Sequence, residues 1–147
     1  MSTKGVDLNE QQRAFLEKAR GAAMITLRAD GSPVAVRVGV ALVDGRLWSS
    51  GTQDRARTRW LRRDPRSTLF VFEPAGFGYL SIESRVRILE GPDVPEQSVR
   101  LFRVMQGRPT GSLAWFGADK SEEEFLQTMI DERRLIYEFE PLRVAGL

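Results

Sequence analysis

Residues 55–66 read RARTRWLRRDPR, six arginines in twelve positions, directly after the small polar run Ser49-Ser50-Gly51-Thr52. The chemistry such a cluster offers is anion binding, because guanidinium groups make charge-assisted, often bidentate hydrogen bonds to phosphate and carboxylate. Wound as a helix at 100° per residue, the segment places Arg55, Arg59, Arg62 and Arg66 on one face, within about 60° of each other. Arg57 projects near the opposite side, at the angle shared by Trp60 and Leu61, the residues expected to be buried. A cation facing inward in the first turn of a helix opposes both the helix dipole and the cost of desolvating charge. An anion at that point would satisfy it, since free N–H groups at a helix N-terminus bind phosphate. Arg55 and Arg57 are therefore the candidate anion anchors. The other reading open at this level is a solvated arginine stripe from which Arg57 snorkels to the surface.

The missing residue types narrow the chemistry. With no cysteine there is no disulfide, thiolate metal site or thiol nucleophile, as expected of a cytoplasmic protein. With no histidine there is no common general base, no common metal ligand and no Ser-His or Cys-His pair. No metal site is expected and no catalytic side chain stands out. An enzyme of this composition would draw its chemistry from a bound organic cofactor. The 22 Lys and Arg against 20 Asp and Glu give a formal charge of +2, so the basic character is local to the arginine segment. The N-terminus carries no apolar leader-like run and nothing approaches 18 consecutive apolar residues, so no membrane partner is expected. A chain of 147 residues suits one domain over its whole length, burying roughly two thirds of its unfolded surface.

The elements that must position these arginines follow from periodicity and turn residues. Residues 8–19 suggest a short amphipathic helix ending at Gly21. Residues 24–28 and 33–43 flank Asp30-Gly31, and Asp44-Gly45 joins the second run to residues 46–50; Asp-Gly between β-rich runs signals a hairpin. The arginine helix should stop near Asp64-Pro65, because the residue before proline avoids the α region. Residues 67–73 and 77–90 read as strands, a helix starts near Pro95, and a glycine-bearing loop covers 107–117. Residues 121–133 look helical, with Ser121 and Glu124 as a capping box, and residues 135–144 close as a strand. About six antiparallel strands with peripheral helices predict a mainly β, closed or partly closed barrel. In the second strand Val34, Val36, Val38, Val40 and Leu42 should face the core. Ala35, Arg37, Gly39 and Ala41 would leave a shelf for a flat ring, or an ordinary solvent face.

Taken in order, the Asp-Gly hairpin, the Val-rich strand, the strand ending Ser-Ser-Gly-Thr and the arginine-rich helix closing Leu61-Arg62-Arg63-Asp64-Pro65-Arg66 resemble the split β-barrel flavin and deazaflavin oxidoreductases related to pyridoxamine 5'-phosphate oxidase. The resemblance runs from about residue 21 to 90, with a weaker match at 137–146. It implies an antiparallel split β-barrel and a homodimer with two cofactor sites between subunits, each taking FMN or the 5-deazaflavin coenzyme F420. The cofactor phosphate would be held just after the third strand, where Arg55 and Arg57 stand. Further contacts would fall on Val36, Arg37, Ser49, Ser50, Gly51 and Thr52. Trp60 stands where many relatives carry asparagine and is read either as core or as a wall of the cofactor groove.

FMN ends at its phosphate, whereas the deazaflavin continues into a polyglutamate tail, so surplus cations favour the deazaflavin. Arg59, Arg62, Arg63 and Arg66 could supply them. The expected function is transfer of hydride between the deazaflavin and a small organic acceptor, with solvent, Tyr79 or Tyr137 as proton sources. Met105, Arg108 and Trp115 are candidate substrate contacts, and Trp115 with Phe116 could equally pack beneath its own loop. The alternatives are an FMN enzyme of the same fold, a carrier that binds the deazaflavin without turnover, and a nucleic-acid-binding module. The near-neutral charge and the lack of a recognition signature disfavour the last.

Overall fold

Alternating apolar residues and tight turns set the strands, and the computed structural model, which describes residues 4–147, arranges them as one curled antiparallel sheet beside a small hairpin. The sheet strands are β1 (Gly21–Leu27), β2 (Pro33–Gly39), β3 (Ala41–Val43), β4 (Arg46–Thr52), β5 (Arg66–Phe72), β6 (Tyr79–Leu89) and β9 (Arg134–Ala145). Their order is β2-β1-β5-β6-β9-β4-β3, every pair antiparallel. Asp44 and Gly45 both take positive φ, 51° and 76°, as a two-residue hairpin turn requires.

The run expected as a single strand over residues 33–43 breaks at Val40, and that break closes the barrel. Its first half, β2, forms one edge of the sheet and its second half, β3, forms the other. One continuous piece of chain thus holds both edges. Val40 leaves the ladder to donate its N–H to the Arg20 carbonyl at 2.8 Å. The Ser49 hydroxyl donates to the Gly39 carbonyl at 2.7 Å, bridging β4 to β2 across the seam. The result is a split β-barrel with four helices around it. The break also corrects the expected shelf: Ala41 is fully buried rather than open, because it packs with Val43 and Trp48 beneath a helix.

Helix boundaries follow their caps. The first helix, α1 (Glu10–Lys18), opens with a reciprocal box between Asn9 and Gln12. The fourth, α4 (Glu122–Asp131), opens with the expected box between Ser121 and Glu124. The arginine segment forms α2 (Ala56–Arg63), ending at Asp64 before Pro65. The third helix, α3 (Val94–Gln106), covers the outer face of β3, β4 and β9. The segment expected as loop over 107–117 instead contains β7 (Leu113–Trp115), paired with β8 (Ala118–Lys120). Its turn is held by Phe116 at φ 48° and Gly117 at φ 81°; a phenylalanine in the left-handed region is not a signal that residue type announces. No helix among the described residues is long and apolar enough to cross a membrane.

The barrel interior is a cluster of aliphatic residues around Tyr137, which is completely buried. Its ring lies against Gly51, where a Cβ would overlap the ring carbon Cζ and the phenolic oxygen. Gly51 is therefore glycine because the ring needs the space, at a normal backbone conformation. Replacing Gly51 with alanine forces Tyr137 or β4 to move, and should destabilise the fold by about 1–3 kcal/mol, the usual cost of overpacking a core. A denaturant midpoint unchanged from wild type would show that the barrel end yields.

Candidate anion-binding site

Helix α2 plugs one end of the barrel. Its buried side is centred on Thr58 and Leu61, with exposures of 0% and 3%. Thr58 Oγ1 donates to the Thr52 carbonyl at 2.8 Å and also pairs with the Tyr137 hydroxyl. The N-terminus of α2 is consequently locked to the end of β4 and to the centre of the barrel. It is also open. Arg55 is the N-cap, it supplies no side-chain cap, and the first turn holds no acid, whereas α1 and α4 are closed by capping boxes. A positive helix end left without a compensating group attracts an anion.

Arg57 does project inward, as the helical spacing requires. Its guanidinium lies 5.6 Å from the centroid of the Tyr137 ring, a cation–π contact of about 0.5–2 kcal/mol. Burial pushes its pKa down, the Tyr137 hydroxyl acting in the opposite sense. Its Nε is buried and has no hydrogen-bond partner, and neither has the buried Ser50 hydroxyl. The two are on different faces of β4: Ser50 alternates outward with Trp48 and pairs with Ile136, whereas Arg57 lies over the Tyr137 ring at the barrel end. A buried polar group left unpaired costs about 1–3 kcal/mol, which makes the Arg57 Nε a candidate donor to a ligand atom.

The remaining arginines separate from this pair by their partners. Arg62 makes a bidentate contact to Glu90 at 2.7 and 3.0 Å, and Arg66, already in β5, holds Asp64 at 2.7 Å. Arg59 donates to the Asp54 carbonyl and Arg63 to the Leu27 carbonyl. The Arg62–Glu90 pair is about half exposed, so it orients side chains and contributes only about 0–1 kcal/mol. The outer stripe is thus already committed within the chain.

Folding adds two cations that the arginine segment gave no hint of. Thr52 lies opposite Arg134 in the β4–β9 ladder, and Gln53 N–H reaches the Arg133 carbonyl at 3.3 Å. Residues 52–55 and 131–134 therefore line a common groove of about 730 Å³. Arg55, Arg133 and Arg134 stand on its walls with Asp54, Asp131 and Glu132. Each acid is already hydrogen-bonded: Asp54 by Thr52, Asp131 by Gln127, Glu132 by Arg134. Arg55 and Arg133 make no ion pair among the described residues. The groove's three arginines and three acids balance in formal charge, and Asp54 lies within the field of both Arg55 and Arg133.

The other sequence candidates are distributed around this centre. The Val36 side chain packs against the barrel interior and the Ser49 hydroxyl is spent on Gly39, so a ligand could meet these two only through their backbone. Arg37 is exposed on the outer face of β2, and Thr52 is half-buried beside the groove. Trp60 is half-buried with the Arg28 guanidinium 5.8 Å from its ring, on the β1 side of α2. The Met105 sulfur lies beside Gly39 and fills part of the expected shelf. Arg108 is engaged with Asp119, and Trp115 packs edge-on to Phe102 and Phe125 beneath its hairpin. Tyr137 is sealed in the core and Tyr79 stacks on Phe70 on the outer sheet face, so neither reaches the groove of its own chain. Among the described residues no cluster of three acids is placed to hold a metal.

Comparison with known proteins agrees with this architecture. A conserved hypothetical protein of Mycobacterium tuberculosis, Rv2991, superimposes with a TM-score of 0.75 at 20% identity, over 99% of this chain and 88% of that one. An F420 reductase matches with a TM-score of 0.66 at 17% identity, over 94% and 98% of the two chains. An FAD-binding protein of Mesorhizobium loti, mll6688, matches with a TM-score of 0.60 at 17% identity, over 95% and 94%. Identities this low establish the shared fold. A family profile described as pyridoxamine 5'-phosphate oxidase matches residues 8–144, nearly the whole chain, and the protein therefore belongs to the pyridoxamine 5'-phosphate oxidase family of split β-barrels.

Proposed function

We propose that this protein is a coenzyme F420-dependent oxidoreductase that acts as a homodimer on a small organic hydride acceptor. The observation that carries the reading is the buried, unpartnered Nε of Arg57 at the open start of α2, beside a groove on whose walls Arg55 and Arg133 make no salt bridge among the described residues. A flavin-type cofactor is supported by relatives of the same fold named as an F420 reductase and an FAD-binding protein. The groove favours the deazaflavin. FMN would end at Arg55 and Arg57 and leave Arg133 without work, whereas a carboxylate-bearing tail would run on to it. Of the cations expected to receive that tail, Arg62 and Arg66 are taken by Glu90 and Asp64, and Arg59 and Arg63 donate to the Asp54 and Leu27 carbonyls.

Such a cofactor supplies, when bound, a ring carbon that passes hydride to or from an acceptor. The chain's own work is to bind and orient. Arg55 and Arg57 hold the phosphate, and the Tyr137 ring keeps Arg57 from swinging to solvent. Thr52 and the exposed side of β2, with Arg37, border the space left for the ring. No side chain of the groove is placed as a proton donor, so a proton required by the product comes from solvent or from the second subunit.

The outer face of β5 and β6 supports the dimer. Phe70, Phe72 and Tyr79 are 38–43% exposed and Phe77 fully so. Phe70 stacks on Tyr79 at 5.2 Å, and a cavity of about 310 Å³ lined by Ile25, Leu27, Thr68 and Glu83 opens on the same sheet. An apolar patch of this kind marks an interface.

Titration of the purified protein with FMN and with the deazaflavin under identical salt should show tighter binding of the deazaflavin; micromolar FMN affinity with no measurable deazaflavin binding would assign FMN instead. Arg57→Ala should weaken phosphate-bearing cofactors by about 1.5–3 kcal/mol with the fold intact, whereas Arg62→Ala should change affinity by less than about 1 kcal/mol. Equal losses would mean that the two groups of arginines do not have separate roles. Phe70→Glu should convert a dimer to monomer in sedimentation velocity, and a monomeric wild type would remove the dimer from the proposal.

A further inference from the structure

The start of β9 carries a second cation beside the groove, held by two neighbouring side chains. Arg134 has a side chain only 9% exposed, yet it lines the groove. Its Nε and Nη2 both donate to one oxygen of Glu132, at 3.0 and 2.8 Å. The guanidinium carbon Cζ lies over the Trp115 ring, 4.9 Å from its centroid. Trp115 in turn donates its indole N–H to the other oxygen of Glu132 at 3.2 Å. The three side chains form a closed triangle that joins the β7–β8 hairpin to the groove wall. Arg134 Nη1 takes no part in that triangle and has no hydrogen bond among the described residues. It is not among the buried unpartnered atoms either, so it keeps some exposure on a side chain that lines the groove.

We propose that Arg134 is a further ligand-binding residue of the anion site, presented through Nη1 by Glu132 and Trp115, and that the charge on Glu132 sets how strongly it attracts the ligand. This rests on the reading of the groove as the site of a phosphate-bearing cofactor. Two physical features separate Arg134 from Arg55 and Arg133. Those two are exposed and flexible, so each loses side-chain entropy on binding. Arg134 has already lost it in folding, and a preorganised donor keeps more of its hydrogen-bond energy as affinity. Glu132 lies beside the same guanidinium and partly cancels its charge. Removing the carboxylate charge while keeping the shape would leave a stronger cation at the same place. Arg134 also stands close enough to Arg57 for the two like charges to oppose each other, and the charge on Glu132 offsets that repulsion.

The inference makes two variants move in opposite directions. With FMN and the deazaflavin as phosphate-bearing probes and riboflavin as the phosphate-free control, Arg134→Gln should weaken both probes about tenfold and leave riboflavin unchanged, the scale of one charge-assisted hydrogen bond. Glu132→Gln should tighten the same probes several-fold and steepen the loss of affinity with added salt. Arg134→Lys should restore part of the affinity as a point charge without the fork, and it carries the test with Glu132→Gln if Arg134→Gln does not fold. If Glu132→Gln weakens binding as Arg134→Gln does, the triangle is a strut and the proposal falls. Unchanged affinity in Arg134→Gln also overturns it. Arg57→Ala distinguishes the two levels: if it too leaves affinity unchanged, or if the wild-type protein binds neither probe, the reading of the groove falls with the proposal. Loss in Arg57→Ala without the opposed pair of effects removes Arg134 alone.

Discussion

The contact on which the rest of this molecule depends is the burial of Tyr137 at the end of the barrel. Its ring fills the space that Gly51 leaves on β4, its hydroxyl engages Thr58, and its face carries the Arg57 guanidinium. One side chain thereby couples β9 to β4, fixes the first turn of α2 over the barrel mouth, and keeps a cation half-buried where no acid meets it. A phenol inside a hydrophobic core requires a partner for its hydroxyl. Thr58 meets that requirement, and in doing so it aims the helix.

Charge in this protein is informative through what it is bonded to, not through how much of it there is. The arginine segment divides into side chains that close the structure on itself and side chains that stay open. Arg62 and Arg66 are held by acids, and Arg59 and Arg63 by carbonyls, which leaves a helix whose outer face is not a free track for a polyanion. Arg55 and Arg57 remain open because the start of α2 has neither a capping side chain nor an acid. The β4–β9 ladder then sets Arg133 and Arg134 beside them, so the cationic site is assembled from two parts of the chain about 80 positions apart.

Outside the barrel, α3, α4 and the β7–β8 hairpin enclose a separate cluster of Val99, Leu113, Phe125 and Met129. Trp115 belongs to the edge of that cluster and touches Arg134 on its other side. The appendage is therefore mechanically continuous with the wall of the groove. It leaves Phe116 almost wholly exposed at the hairpin tip, held in a backbone conformation unusual for an aromatic residue.

Much of this was written locally. The hairpin turns at Asp44-Gly45, the Ser121–Glu124 box, the stop before Pro65 and the inward aim of Arg57 all depend on residues within a few positions of each other, and each was legible from the sequence. So was the division of the arginines into an inner and an outer group, because helical phase is a local property. What the sequence could not decide were the relations across the sheet: the break of the second strand at Val40 that joins both edges, the sealing of Tyr137 away from any acceptor, the pairing of Arg62 with Glu90, and the arrival of Arg133 and Arg134. These depend on register between strands far apart in the chain, where a shift of one residue would turn every side chain to the other face. Residue types and spacing pointed to the start of the arginine helix as a candidate anion site; strand register determined which other cations stand beside it.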